Sequence, residues 1–154
     1  MDLLENLRAH WGKAFSLGLL NGLLLSAIMV PAFQAGIPPM PKPPSLAFAE
    51  TLFGHSLPLF AGLLFHLAYV TFWSMAFIAG AYPRLTILRA LGLGLALWIV
   101  ILVVFFPVVG WGFLGLGVSP KLIVASLIPH LLFAVFLWGL GHAFFLRRGG
   151  SDRS

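Results

Sequence analysis

Hydrophobic positions in this chain fall into four long runs, roughly 14–33, 57–79, 88–108 and 122–146, divided by three short polar or proline-rich connections. A helix needs about 20 apolar residues to cross the hydrocarbon core of a bilayer. Each run has about that length, and within 57–79 there is no Asp, Glu, Lys or Arg. The pattern predicts an all-α integral membrane protein: four transmembrane helices in an up-down bundle, with both termini on one side. A single four-helix domain over 14–146 follows, preceded by an interfacial segment at 1–13 and followed by a basic tail at 147–154.

The connections refine this picture. The opening stretch places Leu3, Leu4, Leu7 and Trp11 on one helical face, which suits a helix lying at the membrane surface, with His10 and Trp11 at headgroup level. The first run is read as a span and not as a cleavable leader, because it continues to about 20 residues with no clear small-x-small site after a short apolar region. The connection 34–56 contains Gly36-Ile37-Pro38-Pro39-Met40-Pro41-Lys42-Pro43-Pro44, five prolines in nine residues. Proline fixes φ and removes a donor, so this arm is expected to be extended and stiff, either capping the bundle or docking on a partner. A short interfacial helix started by Ser45 is expected after it.

The two halves look alike. Leu17-Gly18-Leu19 through Pro31 resembles Leu93-Gly94-Leu95 through Pro107 at an offset of 76, and Phe65-His66-Leu67 resembles Pro129-His130-Leu131 at an offset of 64. Two parallel hairpin repeats, differing by the proline-rich insertion, are one reading of this. Gly18-x-x-x-Gly22, and the pairs Gly92/Gly94 and Gly139/Gly141, read as helix-packing surfaces, internal or toward a partner.

Composition agrees with the pattern. Hydrophobic residues make up 60% of the chain and charged residues 8%, against about 25% charged in soluble domains. The net charge of +5 does not point to nucleic acid, because of where it lies. Arg8, Lys13, Arg84, Arg89, Arg147, Arg148 and Arg153 fall on the termini and the second connection. Only Lys42 and Lys121 fall on the other two connections. This is the positive-inside distribution, with the termini and 80–88 cytoplasmic, and 34–56 and 109–121 outside. Anionic lipid headgroups are the partners that such a basic face suits. There is no cysteine, hence no disulfide, thiolate nucleophile or c-type haem attachment.

The candidate chemistry is a pair of histidines. His66 and His130 sit inside the second and fourth runs, about 12–14 Å below the same boundary by helix rise. An ionisable residue within a span is a functional candidate. Diagonal helices of a bundle that present imidazoles at equal depth are what bis-histidine haem b ligation needs. Gly62 on the His66 face, with Ser126 and Ala134 on the His130 face, would leave room for the ring. The same histidines also suit plain interhelical hydrogen bonds, to Ser26, Thr71, Ser74 or Asn21, or contact with a quinone or metal. His142 has no counterpart on the second span, which rules out two stacked haems. His55 is expected to face water. The acids Asp2, Glu5, Glu50 and Asp152 all lie outside the spans, which disfavours ion-coupled transport. No phosphate loop, zinc-protease helix or Ser/His/Asp set is present, so the chain is not expected to be an enzyme on its own.

The Gly/Leu-rich first span ending in Pro31, with Leu64-Phe65-His66-Leu67 and Pro129-His130-Leu131-Leu132, resembles a group of small bacterial four-helix membrane proteins of unassigned activity. The layout, one histidine on each of two helices, is also similar to haem-bearing membrane anchor subunits. The resemblance implies a fold and no established activity; the chain is expected to be a multi-pass protein of the bacterial inner membrane. Its role would be that of an accessory subunit bound to membrane-protein partners in a respiratory or other electron-transfer complex. The competing expectation is a small channel or carrier for a neutral or apolar solute.

The charge distribution makes a direct prediction about topology. Reporter fusions after Arg148 should read as cytoplasmic and fusions within 38–44 as external. An external signal from the Arg148 fusion would contradict the orientation.

Overall fold

The computed structural model describes residues 3–146. All regular structure among them is helical. Helix α1 spans Leu3–Gln34, α2 Pro44–Phe53 and α3 Leu59–Ala81. Helix α4 covers Ile87–Val108, and α5 covers Lys121–Gly141, followed by a π turn at His142–Leu146. Four of the five helices are long and apolar enough to cross a membrane. The basic tail expected at 147–154 lies outside the described residues.

Helix α1 begins well before the apolar run. Residues 3–13 continue the span and do not form a separate segment, giving 32 residues in one helix. That is about 48 Å, well beyond the hydrocarbon thickness. The extension is held by polar and aromatic contacts with the α3–α4 turn. The buried Asn6 amide donates to the carbonyls of Ala79 at 3.1 Å and Tyr82 at 3.4 Å. His10 packs on Tyr82 and Phe145, with ring centroids 4.5 and 5.5 Å away. Both ends of the described chain therefore meet at the same end of the bundle.

The helices pair as two hairpins. Helix α3 lies against α1 and α5 against α4, and α1 joins α5 across the middle, whereas α3 meets α4 and α5 only sparsely. Glycines set these distances. A Cβ on Gly18 would lie 2.8 Å from Thr71 Cα, and one on Gly94 would lie 2.7 Å from the His130 carbonyl oxygen. Gly22 faces Leu67 and Val70. The Gly18-x-x-x-Gly22 surface is thus internal, and it brings the α1 and α3 backbones together as small residues do in lipid. The hairpins share this plan but not its register. Gly18 matches Gly94 in sequence, yet Gly94 meets His130 and Ala134, whose counterparts at the offset of 64 are His66 and Val70, about one turn from Thr71 and Ser74.

Helix α4 is widened near its end. Residues Ile101–Phe105 form a π turn, after which Phe106–Val108 resume α geometry. Pro107 has no N–H to donate and its ring crowds the preceding turn, and a wider turn just before it relieves that crowding. The opposite end of the bundle is capped by α2 and the proline arm. Met40 and Ala47 pack with Leu102, Phe106, Trp111 and Leu122 in a second apolar cluster. Helix α2 starts one residue earlier than expected. It has no side-chain cap, Pro44 occupies the first turn, where its missing N–H costs nothing, and Gly54 at φ 74° stops it. Lys42 pairs with Glu50. That ammonium, with the Leu57 N–H, holds the Glu50 carboxyl below the usual carboxylate range. The contact contributes above the ordinary carboxylate pKa and is lost as pH falls through the lowered one.

The glycine contacts make a testable contrast. Gly18→Ala, whose methyl must meet α3 backbone, should destabilise the bundle by about 1–3 kcal/mol in detergent unfolding. Gly12→Ala, with nothing within 4 Å, should be neutral or stabilising by up to about 1 kcal/mol. Equal effects would contradict the close approach of α1 and α3.

Candidate functional site

The buried polar side chains are Asn6, Asn21, Ser26, Thr71, Ser74 and Ser126, and His66 and His130 lie on α3 and α5. Counted from the helix starts, His66 lies about 10 Å along α3 and His130 about 14 Å along α5. Each histidine therefore lies in the first half of its helix.

Their chemistry differs. The His130 Nδ1 lies 2.7 Å from the Ser126 carbonyl oxygen. A carbonyl only accepts, so Nδ1 donates, and in the neutral ring Nε2 keeps the lone pair. His66 has its Nε2 buried with no partner. A polar atom left unsatisfied in a membrane interior costs several kcal/mol, so this burial is unfavourable to the bundle.

Asn21 is the residue that joins the spans through side-chain hydrogen bonds. It is fully buried, and its amide donates to Ser74 Oγ on α3 at 3.5 Å and to the Phe133 carbonyl on α5 at 3.4 Å. One side chain thus ties three spans. Its Oδ1 is buried and unpartnered. The other hydroxyls serve their own helices: Ser26 donates to the Gly22 carbonyl and Ser126 to that of Ile123. The interhelical bonds expected from the histidines to Asn21, Ser26, Thr71 or Ser74 do not form; Asn21 makes them instead. The sequence offers Asn21 as a partner for histidine or as part of a polar path, although an amide on the same helical face as Gly18 and Gly22 is already a sign of a contact with α3.

The space expected for a flat ring is filled. A Cβ on Gly62 would lie 2.6 Å from the Leu46 Cβ, so α2 occupies that side. Ala134 is fully buried against Gly94, and Ser126 is 1% exposed. Two cavities, of about 330 and 370 Å³, lie elsewhere, and neither is lined by His66 or His130. The donor atoms would suit an iron, with one imidazole held through Nδ1 and its Nε2 free, but Leu46 packs where Gly62 was expected to leave room for the ring.

The remaining histidines are peripheral. His142 has Nδ1 2.9 Å from the Trp138 carbonyl and stacks near that indole. His55 is exposed and lines the 370 Å³ cavity with Lys42, Glu50 and Trp111. Among the described residues, no group of three or more His, Cys, Asp or Glu is placed to hold a metal.

Unequal roles for Asn21 and His66 predict unequal variants. Asn21→Leu should cost about 0.6–2 kcal/mol of bundle stability, the range for interhelical hydrogen bonds in membranes. His66→Leu, which removes an unpaired polar atom, should be neutral or stabilising in the purified chain. A loss above about 1 kcal/mol in His66→Leu would show that its imidazole has a partner. No known protein-family model, curated protein or solved structure matches this chain.

Proposed function

We propose that this chain is a non-catalytic accessory subunit of a larger membrane complex, seated in a bacterial inner membrane with both termini cytoplasmic. The observation that carries this reading is the bareness of the second hairpin. In their most apolar windows the spans α4 and α5 have 22% and 28% of residues buried, against 39% and 33% for α1 and α3. Gly92 on α4 and Gly139 on α5 have nothing within 4 Å of where a Cβ would be. Both lie near the basic end, about 8–9 Å from it by helix rise. Small residues that the chain itself leaves uncovered let another helix approach closely, which is how helices associate where lipid removes the hydrophobic drive.

Haem b is not part of this proposal, because Leu46 packs against Gly62, on the side where room for its ring was expected. If an electron-transfer partner is involved, the smaller contact that His66 suits is a single hydrogen bond to a quinone-type carbonyl. The competing carrier reading finds support in the unpartnered Oδ1 atoms of Asn6 and Asn21, which a polar solute would satisfy in turn.

Outward-facing glycines offer a test that spares the fold. Gly92→Leu and Gly139→Leu should leave the isolated chain at least as stable as the wild type, since leucine is the better helix former by about 0.6–1 kcal/mol. Both should abolish co-purification with other membrane proteins in mild detergent. Retained co-purification would remove the second hairpin as the docking face. A chain that purifies alone and conducts a solute in vesicles would favour the carrier.

A further inference from the structure

We infer that the cleft between α3 and α4 is a lipid site, holding one acyl chain of an anionic phospholipid with its phosphate on Arg89. These two helices are consecutive, yet they scarcely touch. The space between them is a cavity of about 330 Å³, walled by Trp73, Phe77 and Gly80 of α3 and by Leu93 of α4. Its α3 wall runs from Trp73 to Ala81, about 12 Å along the helix axis. Gly80 leaves it open, with nothing within 4 Å of a would-be Cβ.

One charged side chain stands in the lining, Arg89, at the end where the α3–α4 turn lies. Its Nη1 donates to the carbonyls of Ala81 at 3.3 Å and Arg84 at 3.2 Å. Those two bonds fix the guanidinium at the mouth of the cleft. Its other N–H groups are left for a planar or tetrahedral anion, which the guanidinium fork matches. Arg89 is exposed, so its charge is open to an anion at the mouth. The described acids are Glu5, on α1, and Glu50, at the other end of the bundle. Neither lines the cleft.

Shape and charge select the occupant together. A helix about 10–12 Å across is too wide for such a space, whereas an unbranched acyl chain is narrow enough to lie along it. Basic pockets between membrane helices are where anionic headgroups are held. Zwitterionic lipid would fill the apolar part equally well and would gain less from Arg89. The inference does not rest on the proposed protein partner.

Trp73 is a built-in reporter. The full chain is placed in mixed micelles with phosphatidylglycerol or phosphatidylcholine brominated on the acyl chains. The Trp73 signal is taken as the difference between the wild type and Trp73→Phe. Brominated phosphatidylglycerol should quench it at about fivefold lower mole fraction than phosphatidylcholine, the factor expected for one arginine at a membrane surface. Arg89→Gln should remove that preference, and Gly80→Leu, which fills the cleft, should weaken quenching by both lipids. If Arg89→Gln does not fold, the wild-type comparison still decides. Equal quenching by the two lipids in the wild type would reduce the cleft to ordinary lipid contact and overturn the proposal. Absence of quenching by either would show the cleft closed or covered by protein, and would overturn it as well.

Discussion

Lipid provides no hydrophobic force to push helices together, so a membrane bundle must be built from close backbone contact and a few buried hydrogen bonds. In this chain both devices meet on one face of α1. Gly18 and Gly22 let α1 approach α3 until a methyl group on Gly18 would strike the Thr71 backbone. Between them Asn21 reaches Ser74 on α3 and the Phe133 carbonyl on α5. The first contact forms a hairpin and the second joins that hairpin to the other half. An asparagine is suited to this because its amide offers two donors, and here they go to two different helices.

The rest of the architecture follows from that junction. Ala14, Leu17 and Leu25 of α1 pack in one buried cluster with Val70 and Phe77 of α3 and with Phe133 and Leu137 of α5. The second hairpin is fixed at Gly94 against α5, and further out by the Trp98 indole N–H on the Ile123 carbonyl. With α1 lying against both α3 and α5, little is left to draw α3 against α4, and the cleft beside Arg89 is the result. The proline arm and α2 then close the opposite end over Phe106 and Trp111. This cap is also what denies space to a ring near His66, because Leu46 of α2 seats itself against Gly62.

Much of this was legible in the sequence. Four spans follow from length and hydropathy, and their observed limits differ from the expected ones by a few residues, except at the start of α1. There the run begins with polar residues, and hydropathy could not show that Asn6 and His10 are held by the α3–α4 turn. The positions of His66 and His130 along their helices were legible because rise per residue is fixed. The space around them was not. Helical periodicity shows that Gly62 and Ala134 share a face with a histidine, but not which neighbour fills the gap a small side chain leaves. The same limit hid the role of Asn21, because two of its partners lie 53 and 112 residues away. The expected Ser45 cap gave way to Pro44 because a proline at the first helical position already has the right φ.

The close approach of α1 and α3 is the claim on which the rest depends, and the lack of native cysteine makes it directly measurable. A Cβ on Gly22 would lie 3.5 Å from Val70 Cβ, at the near edge of the roughly 3.5–4.5 Å range that a disulfide spans. The paired substitution Gly22→Cys with Val70→Cys should therefore cross-link rapidly and completely under mild oxidation in membranes. A control pair, Gly92→Cys with Val70→Cys, places one thiol where nothing in the chain approaches and should stay reduced. Failure of the first pair to form, or equal cross-linking of the control, would contradict the account.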